Sequence, residues 1–175
     1  MTYKELDLVL GEVHAACLMG MEQVIAADCN LQAAEATARE LGSGHILVTQ
    51  QFAKAMIEHN IKGGSIVNIS SIVAKMNNIG QANYAATKAG IISFTEVAAK
   101  EFGKFGIRVN AIMPGYINTP MSEVVPEKIK EQIVVCCPMG RMGEPTEVAE
   151  VIAFLASDKS SYVNGAAIEV TGGLK

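Results

Sequence analysis

The stretch S-I-V-N-I-S, Ser65 to Ser70, decides the fold that this sequence can adopt. It is short, carries no charge and is rich in β-branched side chains, which is the pattern of a buried strand. Three further runs have a similar character: Gln23–Asp28, Ile107–Met113 and Ala166–Val170. Nearly continuous apolar strands are typical of a parallel sheet that is covered on both faces. The sequence therefore predicts a mostly parallel sheet.

Longer amphipathic or alanine-rich segments lie between these runs, and they predict helices. The predicted helices are Leu31–Leu41, Ile46–Asn60, Tyr84–Phe102, Ser122–Val135 and Pro145–Ser157. Alternation of strands and helices indicates an α/β fold with a doubly wound, Rossmann-like sheet. Because no repeat, linker or low-complexity tract interrupts the pattern, we expect one domain over residues 1–175, in which residues 1–22 have no readable pattern.

Composition and charge exclude several classes of function. The chain has 175 residues, half of them hydrophobic, and a net charge of −4, so it lacks the basic surface that nucleic acid or an anionic membrane requires. No apolar run near the start is long enough for a membrane span, and no targeting signal is visible. We expect a cytoplasmic or mitochondrial matrix protein. Its cysteines lack metal-site spacing, so we expect reduced thiols and no metal: Cys17, Cys29, Cys136 and Cys137.

The motif N-Y-A-A-T-K-A-G, Asn83 to Gly90, puts Tyr84 and Lys88 four residues apart at the start of a predicted helix. Residues at this spacing share a helix face. The pair alone is a weak signal, but the preceding strand ends at Ser70 and Ser71, and ligands of parallel sheets bind beyond the carboxyl ends of the strands. We therefore expect a hydroxyl, a phenol and an ammonium to meet at one cleft.

Three ordered blocks of sequence resemble the short-chain dehydrogenase/reductase family, in the branch that holds 3-oxoacyl-[acyl-carrier-protein] reductases and hydroxysteroid dehydrogenases. The resemblance runs from about His45 to Lys175, and its blocks are Ser65–Gly90, Gly106–Met121 and Ser161–Gly173. It implies an NAD-dependent oxidoreductase that acts on a hydroxyl or ketone, such as a 3-oxoacyl thioester or a 17-ketosteroid.

The resemblance also implies roles for individual residues. Ser71 corresponds to the catalytic serine, Tyr84 to the general acid/base and Lys88 to its partner, and the last two also contact the cofactor. A phenol can supply the proton that a nascent alkoxide needs, a nearby ammonium favours the phenolate, and a serine hydroxyl can hydrogen-bond the carbonyl oxygen. The nicotinamide carboxamide and the phosphates would be held by Pro114, Gly115, Ile117 and Thr119.

Asp28 ends the first predicted strand, where an acid in a dinucleotide fold binds the ribose hydroxyls of adenosine. This position predicts NAD rather than a 2′-phosphorylated cofactor. The alternative is a helix N-cap for the segment that begins at Leu31.

The sequence departs from the family pattern at its phosphate loop. No T-G-x-x-x-G-x-G follows a first strand, since D-L-V-L-G (Asp7–Gly11) continues as E-V-H-A-A, and Leu41 stands where the active-site asparagine would align. The chain therefore resembles an internally shortened member. A catalytically silent subunit that acts through protein contacts is the alternative to an enzyme.

Two predicted helices also predict self-association, because their apolar faces exceed what a shortened sheet could cover. We expect a homodimer or homotetramer, or a hetero-oligomer with a paralogue. The faces are formed by Phe52, Met56, Ile57, Ile91, Phe94 and Val97.

Overall fold

The computed structural model describes residues 26–27, 43–76, 78–119, 122 and 125–175. The strands are β1 (Ala26–Ala27), β2 (Ser65–Ile69), β3 (Arg108–Pro114) and β4 (Ala167–Val170). The α-helices are α1 (Ser43–Glu58), α2 (Val73–Met76), α3 (Ala82–Phe102), α4 (Glu127–Cys136) and α5 (Pro145–Ala156). Short 3₁₀ turns follow α3 at Gly103–Phe105 and α5 at Asp158–Ser160.

The sheet of the described residues is parallel throughout, in the order β1-β2-β3-β4. Strand β3 lies at its centre, and Val109, Ala111 and Ile112 on it are 0% exposed. In register, Val67 of β2 pairs with Asn110 of β3, and Ala111 pairs with Ala167 of β4. The prediction of a parallel α/β sheet is confirmed.

Helices cover both faces of this sheet, because neighbouring strand residues point to opposite sides. On one face Ile66, Ile107 and Val109 pack with Ala53 and Met56 of α1 and with Ala98 and Ala99 of α3. On the other face Val67 and Ile112 pack with Ile152 and Leu155 of α5. The helix α3 therefore connects β2 to β3 across the first face and carries the predicted Tyr84 and Lys88.

Several predicted boundaries differ from the structure. The helix predicted at Ser122–Val135 is interrupted: Ser122 is helical, Val125 and Pro126 are not, and α4 begins at Glu127, because a proline disfavours helical backbone at the residue before it. The short helix α2 was not predicted. Of the predicted strand Gln23–Asp28 the structure describes Ala26 and Ala27, whereas the predicted helix Leu31–Leu41 lies outside the described residues.

A buried chain of hydrogen bonds fixes α1 and α3 against β2. The Thr49 hydroxyl donates to Asn68 Oδ1 at 3.3 Å, and Asn68 Nδ2 donates to Thr95 Oγ1 at 2.9 Å. All three side chains are buried, so each polar group needs a protein partner. The network joins one helix, the strand and the helix that carries the candidate site.

Arg108 at the start of β3 organises the loop after α5. Its guanidinium donates to the carbonyl oxygens of Leu155 at 2.8 Å and Ser157 at 3.1 Å, and to the Ser160 hydroxyl at 2.8 Å. Burial lowers the pKa of the guanidinium, and the Asp158 carboxylate acts in the opposite direction. The residue is 9% exposed, so protein oxygens rather than water accept most of the hydrogen bonds of its guanidinium.

The start of α5 is held by an exposed ion pair. Arg141 donates two hydrogen bonds to the Glu147 carboxylate, at 2.7 and 2.6 Å, and the Glu144 N–H donates to the same carboxylate at 2.8 Å. First the Arg141 hydrogen bonds and then that N–H lower the pKa of Glu147 to about 2.

We expect this pair to make the stability of the fold depend on pH in the acid range. A carboxyl whose pKa falls on folding stabilises the fold above its unfolded value of 4.5, and that contribution is lost as the pH falls towards about 2. Arg141→Gln should therefore lower the urea midpoint near neutral pH, and the difference from the original chain should vanish in strong acid. Lys159→Gln, at an exposed site, is the control. An Arg141→Gln effect that is constant across the whole pH range would contradict this prediction.

Among the described residues, no helix has the length and hydropathy that a membrane span requires.

Candidate active site

The candidate site lies at the carboxyl edge of the sheet. Because the strands are parallel, the residues that follow β2, β3 and β4 reach the same edge. Ser70 and Ser71 follow β2, Gly115 follows β3 and Thr171 follows β4. Gln81 precedes α3, so the first turns of that helix begin on the loop that leaves this edge.

Ser71 is a buried serine between β2 and α2. Its Oγ accepts a hydrogen bond from the Val73 N–H at 3.2 Å, and its carbonyl oxygen accepts one from the Ala74 N–H. A hydroxyl has one proton to donate and two lone pairs to accept with. Since one lone pair is engaged at Val73, the Ser71 proton can still be donated to a ligand oxygen.

Tyr84 and Lys88 lie one turn apart on α3, as their spacing predicts, and both are half-buried. The Lys88 Nζ lies 5.6 Å from the centroid of the Tyr84 ring and donates to the carbonyl oxygen of Ile69 at 3.1 Å. The ammonium is thereby held at the end of β2, two residues from Ser71. The structure thus brings Ser71, Tyr84 and Lys88 to the same junction of strand and helix.

Pro114 and Gly115 end the central strand at this edge. The Gly115 N–H donates to the Val170 carbonyl oxygen at 2.9 Å, and a Cβ on Gly115 would lie 3.0 Å from the Thr171 Cα. Close packing on the end of β4 is therefore a sufficient reason for glycine here. The Pro-Gly turn therefore borders the carboxyl edge of the sheet on the β3 side.

Ile117 and Thr119 lie in the segment that continues from this turn. Ile117 forms an isolated parallel bridge with Gly143, and the Asn118 N–H donates to the Gly143 carbonyl oxygen at 2.7 Å. The Thr119 N–H donates to Ser122 Oγ at 3.0 Å. Because this N–H is engaged within the chain, Thr119 would contact a phosphate through its side chain.

The described residues fit the nicotinamide end of a dinucleotide. Hydroxyl, phenol and ammonium groups lie at the junction of β2 and α3, and the 114–119 segment extends from the neighbouring strand β3 at the same edge. Donors of this kind could hydrogen-bond the hydroxyl groups of a ribose and the carboxamide oxygen of a nicotinamide. Asp28, predicted to bind the other ribose, lies outside the described residues.

Sequence reasoning missed a contact between the two sides of this edge. Asn78 Nδ2 donates to the Tyr116 hydroxyl oxygen at 3.3 Å and to Gln81 Oε1 at 3.0 Å. Tyr116 also lines a cavity of about 40 Å³ together with Arg141 and Thr171. Tyr116 directly follows the Pro-Gly turn, but no sequence pattern pairs it with a loop 38 residues earlier.

An ion pair also ties α2 to the sheet edge. Lys75 Nζ lies 2.6 Å from Glu169 Oε1 on β4. The Lys75 hydrogen bond lowers the pKa of Glu169. Since α2 begins two residues after Ser71, this contact helps to fix the backbone that presents the Ser71 hydroxyl. Both residues are partly exposed, so we expect a modest energetic contribution.

The chain matches the family model described as enoyl-(acyl carrier protein) reductase over residues 4–175. It is 53% identical over 131 residues to (3R)-3-hydroxyacyl-CoA dehydrogenase of Rattus norvegicus, which covers 75% of this chain and 50% of that protein. It is 51% identical over 123 residues to estradiol 17-beta-dehydrogenase 8 of Callithrix jacchus, covering 70% of this chain and 91% of the other sequence.

A solved structure gives the same result. The crystal structure of 3-oxoacyl-[acyl-carrier protein] reductase from Brucella melitensis matches with a TM-score of 0.71 and 34% identity, over 86% of this chain and 57% of that one. The chain spans about half the length of the first curated relatives it matches. Sequence blocks, parallel fold and family match agree: the chain belongs to the short-chain dehydrogenase/reductase family.

Proposed function

We propose that this protein is an oxidoreductase that transfers a hydride between NAD(H) and a hydroxyl or ketone, such as a 3-oxoacyl thioester or a 17-ketosteroid. The observation that carries the proposal is the convergence of Ser71, Tyr84 and Lys88 where β2 meets α3. A donor hydroxyl, a phenol and an ammonium are the groups needed to polarise a carbonyl and to protonate the oxygen as hydride arrives.

Each residue has a distinct task in this proposal. Ser71 donates its remaining proton to the substrate oxygen, and Tyr84 supplies the proton that completes the alcohol. Lys88 places a positive charge beside the phenol and so favours the phenolate that is left behind. The cofactor supplies the hydride when it is bound, and the nicotinamide would be held by Pro114, Gly115, Ile117 and Thr119.

Turnover at high cofactor concentration tests the proposal. A dinucleotide diphosphate is normally bound by backbone N–H groups of a Gly-rich loop, and the sequence lacks that pattern. Loss of about three charged hydrogen bonds corresponds to roughly 5 kcal/mol or more, so we expect NADH to bind no tighter than about millimolar. Assays should therefore use several-millimolar NADH and an acetoacetyl thioester, with calorimetric titration of NADH alongside. Absence of any NADH oxidation would contradict the proposal and favour the interaction subunit.

Cofactor choice is expected to depend on Asp28. A carboxylate that binds ribose hydroxyls attracts NAD(H) and repels a 2′-phosphate, so NAD(H) should bind more tightly than NADP(H). Asp28→Ala should reduce this preference, as measured by the Kd of each cofactor. Glu150→Ala, at an exposed position of α5, is the control. Equal affinity of the original chain for both cofactors would indicate that Asp28 only caps a helix.

We also propose that the protein assembles as an oligomer, through α1 and α3. The apolar faces behind this prediction are smaller than expected: Met56 and Ile91 are buried within the chain, and Phe52 and Phe94 are half-buried. Ile57 and Val97 remain 37% and 49% exposed. Ile57 lines a groove of about 360 Å³ between the two helices, which a second copy would fill.

Sedimentation at micromolar concentration measures this assembly. We expect a dimer or tetramer, and Ile57→Glu should shift it towards monomer, because its carboxylate would join Glu58 and Glu101 in the groove and would lose hydration at the contact. Phe154→Glu, on the exposed surface of α5, controls for the added charge. A monomer of the original chain at these concentrations would refute the assembly.

A further inference from the structure

We propose that Ser70 is a positioning residue that fixes Lys88, and with it the Tyr84–Lys88 pair, against the end of β2. The Ser70 hydroxyl donates to the main-chain carbonyl oxygen of Lys88 at 2.8 Å. The Lys88 ammonium in turn donates to the carbonyl oxygen of Ile69 at 3.1 Å. Two consecutive residues, Ile69 at the end of β2 and Ser70 directly after it, thus contact both ends of the same lysine, and we call this pair of contacts the clamp. The functional meaning of this clamp rests on the function proposed above, whereas the clamp itself does not.

The clamp is anchored at the centre of the sheet. Ser70 is 3% exposed, and its N–H donates to the Ile112 carbonyl oxygen at 2.8 Å, continuing the ladder between β2 and β3. Ile69 pairs with Ile112 in the same ladder. Because β3 is fully buried at this point, neither contact can move without disturbing the sheet.

The Ser70 hydrogen bond adds to the helix rather than replacing part of it. A helical carbonyl accepts from the N–H four residues later, and the oxygen retains a second lone pair. Ser70 uses this second lone pair. Removal of the hydroxyl therefore leaves the helix intact, because no backbone hydrogen bond of α3 is lost. It does weaken the attachment of α3 to the end of β2.

The position of α3 relative to β2 matters because Tyr84 and Lys88 lie on α3, whereas Ser71 follows β2. A shift of the helix would separate Tyr84 and Lys88 from Ser71 without altering any of the three side chains. Misplacement by about 1 Å can reduce a rate by roughly a hundredfold. Ser70 thereby links the two halves of the site although it donates to neither substrate nor cofactor.

Trace acetylation by acetic anhydride at fixed pH measures the clamp without turnover. Mass spectrometry gives the labelling of Lys88 relative to Lys100, an exposed lysine on the same helix. In Ser70→Ala we expect this ratio to rise about fivefold, the shift that loss of one ordinary hydrogen bond permits. Ser70→Thr keeps the hydroxyl and should restore the original ratio. An unchanged ratio in a folded Ser70→Ala variant would overturn the proposal.

Matched variants exclude a general loosening of α3. Thr87→Val removes a hydroxyl that donates to the Asn83 carbonyl oxygen on the same helix, and it should leave the Lys88 ratio unchanged. A rise equal to that of Ser70→Ala would overturn the assignment to Ser70. If Ser70→Ala does not fold, Ser70→Cys retains the size and a weak donor, and an intermediate ratio is expected. An original ratio in Ser70→Cys would count against the clamp.

Turnover gives a second, separable result. If the proposed reaction is measurable, Ser70→Ala should lower kcat by roughly tenfold to a hundredfold with little change in the KM of the ketone, because alignment rather than binding is lost. A changed KM with unchanged kcat would contradict the positioning role. A chain that shows the labelling contrast but no turnover would refute the proposed function and leave the clamp standing.

Discussion

Tyr84→Phe should abolish ketone reduction while the protein remains folded. The substitution removes only the phenolic oxygen, and the half-buried ring can still pack beside Lys88. In the proposed reaction the phenol is the proton donor to the substrate oxygen, and general acid catalysis is typically worth about 10² to 10⁴ in rate. We therefore expect kcat to fall by at least about a hundredfold in an assay at several-millimolar NADH.

Tyr162→Phe provides the matched control. Tyr162 is fully exposed, so loss of its hydroxyl should change neither turnover nor stability. Circular dichroism and urea unfolding of Tyr84→Phe should coincide with those of the original chain. Activity of Tyr84→Phe within tenfold of the original would show that another group supplies the proton.

Arg108→Met should destabilise the protein strongly. The apolar side chain removes the guanidinium from the carbonyl oxygens of Leu155 and Ser157, which keep only hydroxyl donors. Hydrogen bonds to a charged group are worth about 1.5 to 3 kcal/mol, and we expect a loss of stability of this size. For a chain of this size that corresponds to a fall in Tm of about 3 to 12 °C. Urea unfolding monitored by circular dichroism measures the change in the free energy of unfolding.

Two further variants serve as comparisons for Arg108→Met. Arg108→Lys keeps the charge but cannot reach several acceptors at once, so its stability should be intermediate. Lys159→Met removes an exposed charge from the neighbouring 3₁₀ turn, and we expect no more than about 0.5 kcal/mol of change. A loss below about 1 kcal/mol in Arg108→Met would show that water replaces the guanidinium in this loop.

The sheet could be predicted from the sequence because its strands are short, β-branched and separated by helices of ordinary length. The boundaries of β2, β3 and β4 agree with prediction to within one residue. The start of α4 could not be predicted from periodicity alone. The apolar pattern continues through Pro126, whereas the helical backbone begins only after it, at Glu127. The residue before a proline, rather than hydrophobicity, sets that boundary.

In the candidate site, too, local features could be predicted from the sequence and long-range contacts could not. The spacing of Tyr84 and Lys88 on one helix face is local and could be predicted, as could the position of Ser71 at a strand end. The contacts that hold these residues in place join distant parts of the chain: Ser70 with Lys88, Asn78 with Tyr116, and Lys75 with Glu169. Each depends on how the strands are ordered and where the crossover helix packs. No local pattern in the sequence encodes such a pair.

The parallel connection through α3 also determines when the site can form during synthesis. Parallel strands cannot pair until the whole crossover between them exists, so β2 and β3 pair only after α3 has been made. The turn at Pro114 and Gly115 follows still later, and Gly115 completes its contact only when Val170 is present, 55 residues further along the chain. A nascent chain therefore contains Ser71, Tyr84 and Lys88 well before the neighbouring turn is held in place. A ligand that contacts both sides of this edge can stabilise the fold only after Val170 has been synthesised.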